Sequence, residues 1–245
     1  MSSSKSYLSL RLEGPLQSWG FDGQFNRRNT GLMPTKSAVA GMCCAALGLS
    51  RGSDEERGFL VSFGQVRMST LAMPRNSDGK VFPVRRLEDY HTVGGGYDPD
   101  NLSERGSITS AAEDGKPRAK NGQSLAALTH RQYLTDAAFG VIIKGDAVFL
   151  GKISAALADP KWGIWLGRKT CIPSAPVLVG LRDNKDDALR LLVGQKPYEF
   201  FTRQEEAEDF TDGRDSLPDA PISFATEHRL FSLRRVRTLS GKEGA

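Results

Sequence analysis

Cysteine and histidine are scarce in this chain, with three of each among 245 residues. Cys43 and Cys44 are adjacent, which suits neither a disulfide framework nor a metal-ligand spacing. No HxH, HExxH or CxxC spacing accompanies His91, His130 or His228, so no metal is expected, and no other cofactor is called for. The chain also lacks an apolar run long enough to cross a bilayer, and an apolar core behind a basic amino-terminal start. These absences predict a cytoplasmic protein with no membrane contact. Nor is a phosphate loop present: Gly94–Gly96 lacks the GxxxxGK[ST] spacing and reads as a hinge. No activated nucleophile or pair of carboxylates is evident in the pattern.

What the chain does have is 39% hydrophobic residues, sufficient for a real core, and a lopsided charge distribution. Residues 1–51 hold six Lys/Arg against two Asp/Glu, whereas residues 183–227 hold five against twelve. A basic face for polyanions is expected, with the acidic stretch turned toward solvent or a protein neighbour.

The sequence PTKSAVAGMCCAALG, Pro34 to Gly48, predicts a helix with Val39, Met42, Cys43, Ala46 and Leu47 on its buried face. Thr35 is a good N-cap and Gly48 a natural stop. The first turn carries Lys36 and Ser37 where Asp or Glu would complement the dipole, so free N–H groups and a lysine converge where an anion is missing. Arg27 and Arg28 lie just upstream.

Elsewhere, Ser6–Leu12 alternates as a strand, Asp54–Phe63 reads as a helix and Gln65–Met73 as a strand. Ala138–Lys144 is the strongest strand, followed by a helix over Asp146–Leu157 and a last strand over Ala175–Gly180. The order β-α-β, insertion, β-α-β predicts an α+β fold: a ferredoxin-like (RRM-related) body, βαββαβ, from residues 1–73 and 138–182. Residues 74–137 form an arm between its second and third strands, Gly- and Ser-rich from Gly94 to Gln123. Residues 183–245 hold the acidic segment and a further β extension over Thr226–Leu239.

Several clusters pair basic with aromatic residues, the chemistry of single-stranded RNA recognition. GPLQSWG places Gln17 and Trp19 between glycines; Trp19 either stacks on a base or closes a core edge. Arg85 and Arg86 stand near Tyr90 and His91 at one end of the arm, and His130, Arg131 and Tyr133 at the other. Those two ends could meet as a His/Tyr/Lys-type ribonuclease constellation, with ligand contact or plain hydrogen bonding as the alternative. In KWGIWLGRKTCIP, Arg168 and Lys169 follow Trp162 and Trp165 and are phosphate candidates.

Taken together, LRLEGPLQSWG, PTKSAVAGMCCAALG, EDYHTV, THRQYLTDAAFGV and WLGRKTCIP resemble the CasD-type subunits of type I-E Cascade, the Cas-five family of CRISPR-associated proteins. The resemblance runs in order through nearly the whole chain, leaving out Gly94–Leu128 and the stretch after Asp183. It implies an RRM-related body with a thumb hairpin and a non-enzymatic role in antiviral defence. That role is to hold the 5′ handle of the CRISPR RNA at one end of the filament, beside the backbone and large subunits, with target DNA reached only through the complex. The expected RNA contacts are Gln17, Trp19, Arg27, Arg28, Thr35, Lys36, Ser37, Arg85, Arg86, Tyr90, His91, Arg131, Arg168 and Lys169. The thumb would lean over the guide and displace a base pair near the start of the spacer. The competing reading is a metal-independent endoribonuclease that cleaves repeat RNA with His91 or His130 as base, and a third is a free-standing RRM-like protein.

Overall fold

The computed structural model describes residues 4–20, 27–77, 80–82, 84–93, 127–209 and 211–241. Its spine is a 20-residue strand, β7 (Ala127–Asp146), which pairs antiparallel with β1 (Lys5–Gln17) from Asp146↔Lys5 to Leu134↔Gln17. Leu8, Leu10 and Leu12 alternate to one face of β1 and are fully buried there, the period-two pattern that specifies a strand with one core face. β8 (Leu178–Arg182) adds beyond β1, and β3 (Arg67–Ala72) pairs with β7 on its other side. The sheet continues through β9 (Arg203–Glu206) and β11 (Leu230–Leu239) to β10 (Asp215–Ser223), giving the order β10-β11-β9-β3-β7-β1-β8. The fold is thus mixed α/β, with an antiparallel sheet at its centre.

Toward its start, β7 extends past β3 and acquires new neighbours. β6 (Arg85–Val93) pairs antiparallel with Ala127–Thr135, and the short β2 (Arg27–Arg28) lies parallel to His130–Arg131. A separate small hairpin joins β4 (Arg75–Ser77) to β5 (Lys80–Phe82). The two ends of the arm therefore form one β ribbon, and its Gly- and Ser-rich middle, with the hinge expected at Gly94–Gly96, lies outside the described residues.

Among the described residues, four α-helices cover the sheet. On one face α1 (Lys36–Leu47), α2 (Asp54–Gly64) and α3 (Ala147–Ala158) contribute Val39, Met42, Cys43, Phe59, Phe63, Ile153 and Leu157 to a core shared with Leu8, Leu10, Leu12 and Phe139. Each such side chain contributes roughly 1.5–3 kcal/mol when fully buried. The opposite face is closed by α4 (Lys185–Val193), whose Leu189 and Leu192 pack with Leu71, Ile142 and Phe201. α4 corresponds to no element expected from the sequence, although Asn184 caps it by accepting from the Asp187 N–H at 2.8 Å.

Local signals set the helix ends. The Thr35 side chain accepts from the Ala38 N–H, and Gly48 stops α1 at φ 71°, the left-handed conformation. Ser53 caps α2, and Asp146 caps α3 by accepting from the Phe149 N–H at 2.8 Å. No helix among the described residues is long and apolar enough to cross a membrane. The three cysteines are free and buried.

A turn after α3 folds back on β1 and fixes the edge of the site described next. Ser18 N–H donates to the Leu166 carbonyl at 3.0 Å, and Cys171 N–H to that of Arg168 at 2.8 Å. Gly167 sits there at φ 100°, and a Cβ on it would lie 1.8 Å from the Ser18 carbonyl oxygen. Backbone cannot yield that much, so Gly167→Ala is expected to cost more than ~1 kcal/mol of stability. A urea midpoint equal to that of the wild type would mean that the turn is free to lift off β1.

Candidate nucleic-acid interface

The end of α1, expected to await an external anion, is occupied by the protein itself. Asp219 on β10 accepts from the Lys36 backbone N–H at 2.9 Å, and its two oxygens take a fork from Arg234 at 2.8 Å each. The Lys36 side chain runs inward: its ammonium donates to the Val66 carbonyl at 2.7 Å and to both Glu206 oxygens at 2.9 and 3.1 Å. Lys36 is 1% exposed, and Asp219 and Arg234 are also buried. Burial lowers the Lys36 pKa below its usual 10.5, while the Glu206 carboxylate pulls the other way. The acidic stretch, expected to face solvent or a neighbour, instead sends Glu206 and Asp219 to the basic amino-terminal half. This placement corrects the expectation that Lys36 contacts RNA.

Two further sequence candidates lie in the core. Trp19 is fully buried and meets Phe139 edge to face, with ring centroids 6.4 Å apart and planes at 83°. Of the two readings open for it, closing a core edge is the one its position supports. Gln17 is also fully buried, its amide donating to the Leu12 and Ala137 carbonyls at 3.1 and 2.6 Å. It ties β1 to β7, with no exposure through which a base could reach it. Thr35 is a buried cap, and the Ser37 hydroxyl donates to the Thr35 oxygen at 3.3 Å.

Four of the remaining basic candidates converge. A cleft of about 1510 Å³ opens between α1, the turn at 162–169 and the β10–β11 hairpin. Arg28, Arg86, Arg168 and Lys169 line it, joined by Arg51 and Arg229, which were not among the expected contacts. All six are exposed except Arg168, which is half-buried. Trp162 and Trp165 stand on the same wall, 47% and 36% exposed, offering flat apolar surface beside the charges. Among the described residues only two acidic ones, Glu56 and Asp219, line the cleft, and both are buried. One Glu56 oxygen accepts from the Gly52 N–H at 2.8 Å. The field facing solvent is positive, and guanidinium forks with aromatic faces suit phosphates and unpaired bases.

Arg51 follows the stop of α1 and Arg229 lies at the turn of the β10–β11 hairpin. Each stands alone in sequence, so only the fold brings them to the cleft. Outside it, Arg27 is exposed on β2 and Arg85 on β6. Along the β6–β7 ribbon, Tyr90 faces His130 with ring centroids 4.7 Å apart, and the His130 ring Nδ1 lies 2.9 Å from Glu88 Oε1. Arg131 is half-buried beside it, in register with Asp89. The two ends of the arm thus meet at Tyr90 and His130. His91 is in register with Thr129, and its side chain lies outside what is described.

Known proteins share this fold. Residues 7–237 match the family described as CRISPR-associated protein (Cas_Cas5). The CRISPR system Cascade subunit CasD of Escherichia coli (strain K12) is 31% identical over 193 residues, covering 77% of this chain and 76% of that protein. Among solved structures, a chain of a CRISPR RNA-guided surveillance complex superposes with a TM-score of 0.70 at 29% identity, over 95% of this chain and 89% of that one. A Cas protein crystal structure gives 0.62 at 28% identity, covering 96% and 95%. The protein whose cleft and ribbon are described above belongs to the Cas5 family of CRISPR-associated proteins.

Proposed function

We propose that this chain is a Cascade subunit of a CRISPR RNA-guided surveillance complex, and that it holds the single-stranded 5′ handle of the guide in the basic cleft. The observation that carries this reading is the convergence of five exposed cations and one half-buried arginine on a cleft with two exposed tryptophans. Phosphates would lie against Arg28, Arg51, Arg86, Lys169 and Arg229, with bases against Trp162 and Trp165. The strand order β8-β1-β7-β3, fourth-first-third-second among the body strands, supports a ferredoxin-like core. The β6–β7 ribbon is the base of a thumb that leans over the guide, and the subunit caps the backbone filament beside the large subunit. Its relatives named above support assembly of this kind.

The reading is tested by co-purification: the tagged chain should bring down the other Cascade subunits and a guide RNA of uniform 5′ end. Recovery of the chain alone from cells holding the full operon and a repeat array would favour a free-standing RNA-binding protein.

A second reading, metal-independent cleavage of repeat RNA, is favoured by one observation, the Glu88 carboxylate beside the His130 ring with Tyr90 against it. A holding subunit needs no general base. We expect the pure protein to leave repeat RNA intact in EDTA, and His130→Ala and His91→Ala to leave guide 5′ ends unchanged in cells with their processing endonuclease. General-base catalysis contributes ~10²–10⁴-fold, so true cleavage would fall by that much in one of the variants. Sequencing the 5′ ends decides between the two.

A further inference from the structure

β2 is only two residues long, too short for its pairing with β7 to hold it firmly, yet it carries Arg28 to the rim of the cleft. Arg168 reaches over from the turn after α3. Its Nη2 donates to the Arg28 carbonyl at 2.9 Å and its Nη1 to the Gln132 carbonyl at 3.3 Å, one on β2 and the other on β7. The guanidinium also lies over the buried Tyr133 ring, 4.7 Å from its centroid. Both terminal nitrogens thus serve main-chain carbonyls and one flat face is covered, which commits two of the five N–H donors and one side of the plane to the protein itself. Gly167, whose position excludes a side chain, sets the turn that delivers this arginine.

We propose that Arg168 is a positioning residue, a planar strut that clamps β2 to β7 and to the turn, and that it acts on RNA through Arg28 rather than by touching RNA itself. The role in RNA binding rests on the function proposed above, whereas the clamp does not. A lysine cannot replace it, because an ammonium lacks the fork that spans two carbonyls and the plane that stacks on a ring.

Two measurements on the full-length chain test this, with Arg168→Lys and Arg168→Ala as the variants. In the first, without RNA, amide hydrogen exchange at Arg28 to Gly31 should accelerate at least about tenfold in both variants while the β1–β7 core stays protected. Unchanged exchange at these amides overturns the clamp. In the second, a short single-stranded RNA of mixed sequence is bound by Arg28→Ala, Arg168→Ala and the double variant. The strut predicts that the double variant binds no more weakly than Arg28→Ala alone, and that Arg168→Lys fails to rescue. Additive losses with full rescue by lysine would make Arg168 a direct phosphate contact. If Arg28→Ala leaves RNA binding intact while the exchange result holds, the clamp stands and the cleft is not the RNA site. Should Arg168→Ala not fold, Arg168→Lys carries both arms.

Discussion

Lys36→Met is expected to lower the unfolding temperature by about 6–20 °C, with the affinity of the folded protein for RNA unchanged. The substitution removes the ammonium but leaves Glu206 beside a buried site, where that carboxylate has been accepting from Lys36 at 2.9 and 3.1 Å. Breaking one side of a buried pair costs roughly 3–5 kcal/mol, because the partner charge stays desolvated and uncompensated. For a chain of this size each kcal/mol moves the midpoint by about 2–4 °C. Adding Glu206→Gln should return most of the loss, since the neutral amide still offers an oxygen to the Met68 N–H that Glu206 now satisfies at 3.1 Å. Calorimetry of the two variants measures the effect. A Lys36→Met protein with native stability and weakened RNA binding would restore the helix end as a ligand site.

The cleft makes the opposite prediction. Arg28→Ala, Arg86→Ala and Lys169→Ala combined should leave the fold intact, because all three side chains are exposed. RNA affinity should fall by at least about tenfold, since even one lost hydrogen bond to a charged group is worth ~1.5–3 kcal/mol. The diagnostic quantity is the salt dependence. Each phosphate contact on a single strand contributes about −0.7 to the slope of log K against log[salt], so the triple variant should be shallower by about 2. A weaker affinity with an unchanged slope would mean that the residues shape the cleft without meeting phosphates.

The helix from Thr35 to Gly48 was legible because its signals are local: a cap three residues from the N–H it serves, and a glycine at φ 71°. The same holds for Asp146 before α3 and for the alternating leucines of β1. Lys36 misleads by the same logic. Its first turn contains no acid, and the reading that an anion is missing there is sound physics, but the anion is Asp219, 183 residues away. Nothing in the spacing of either segment encodes that meeting. Trp19 fails similarly, since a tryptophan between glycines looks alike whether Phe139 or a nucleobase covers it. Arg51 and Arg229 are isolated charges, and only the paths of α1 and the β10–β11 hairpin carry them to the rim occupied by Arg28 and Lys169.

The sequence by itself therefore determined α1 to α3, the main strands of the body, their order along the chain and the excess of cations in the amino-terminal part, because periodicity, caps and composition act over a few residues. Tertiary structure alone decided which of those cations remain available. Burial beside a carboxylate turned Lys36 into an internal pair, and stacking on Tyr133 drew Arg168 inward. Arg28, Arg86 and Lys169 stayed exposed in the cleft, where the acids among the described residues, Glu56 and Asp219, are buried and held by the Gly52 N–H and by Arg234.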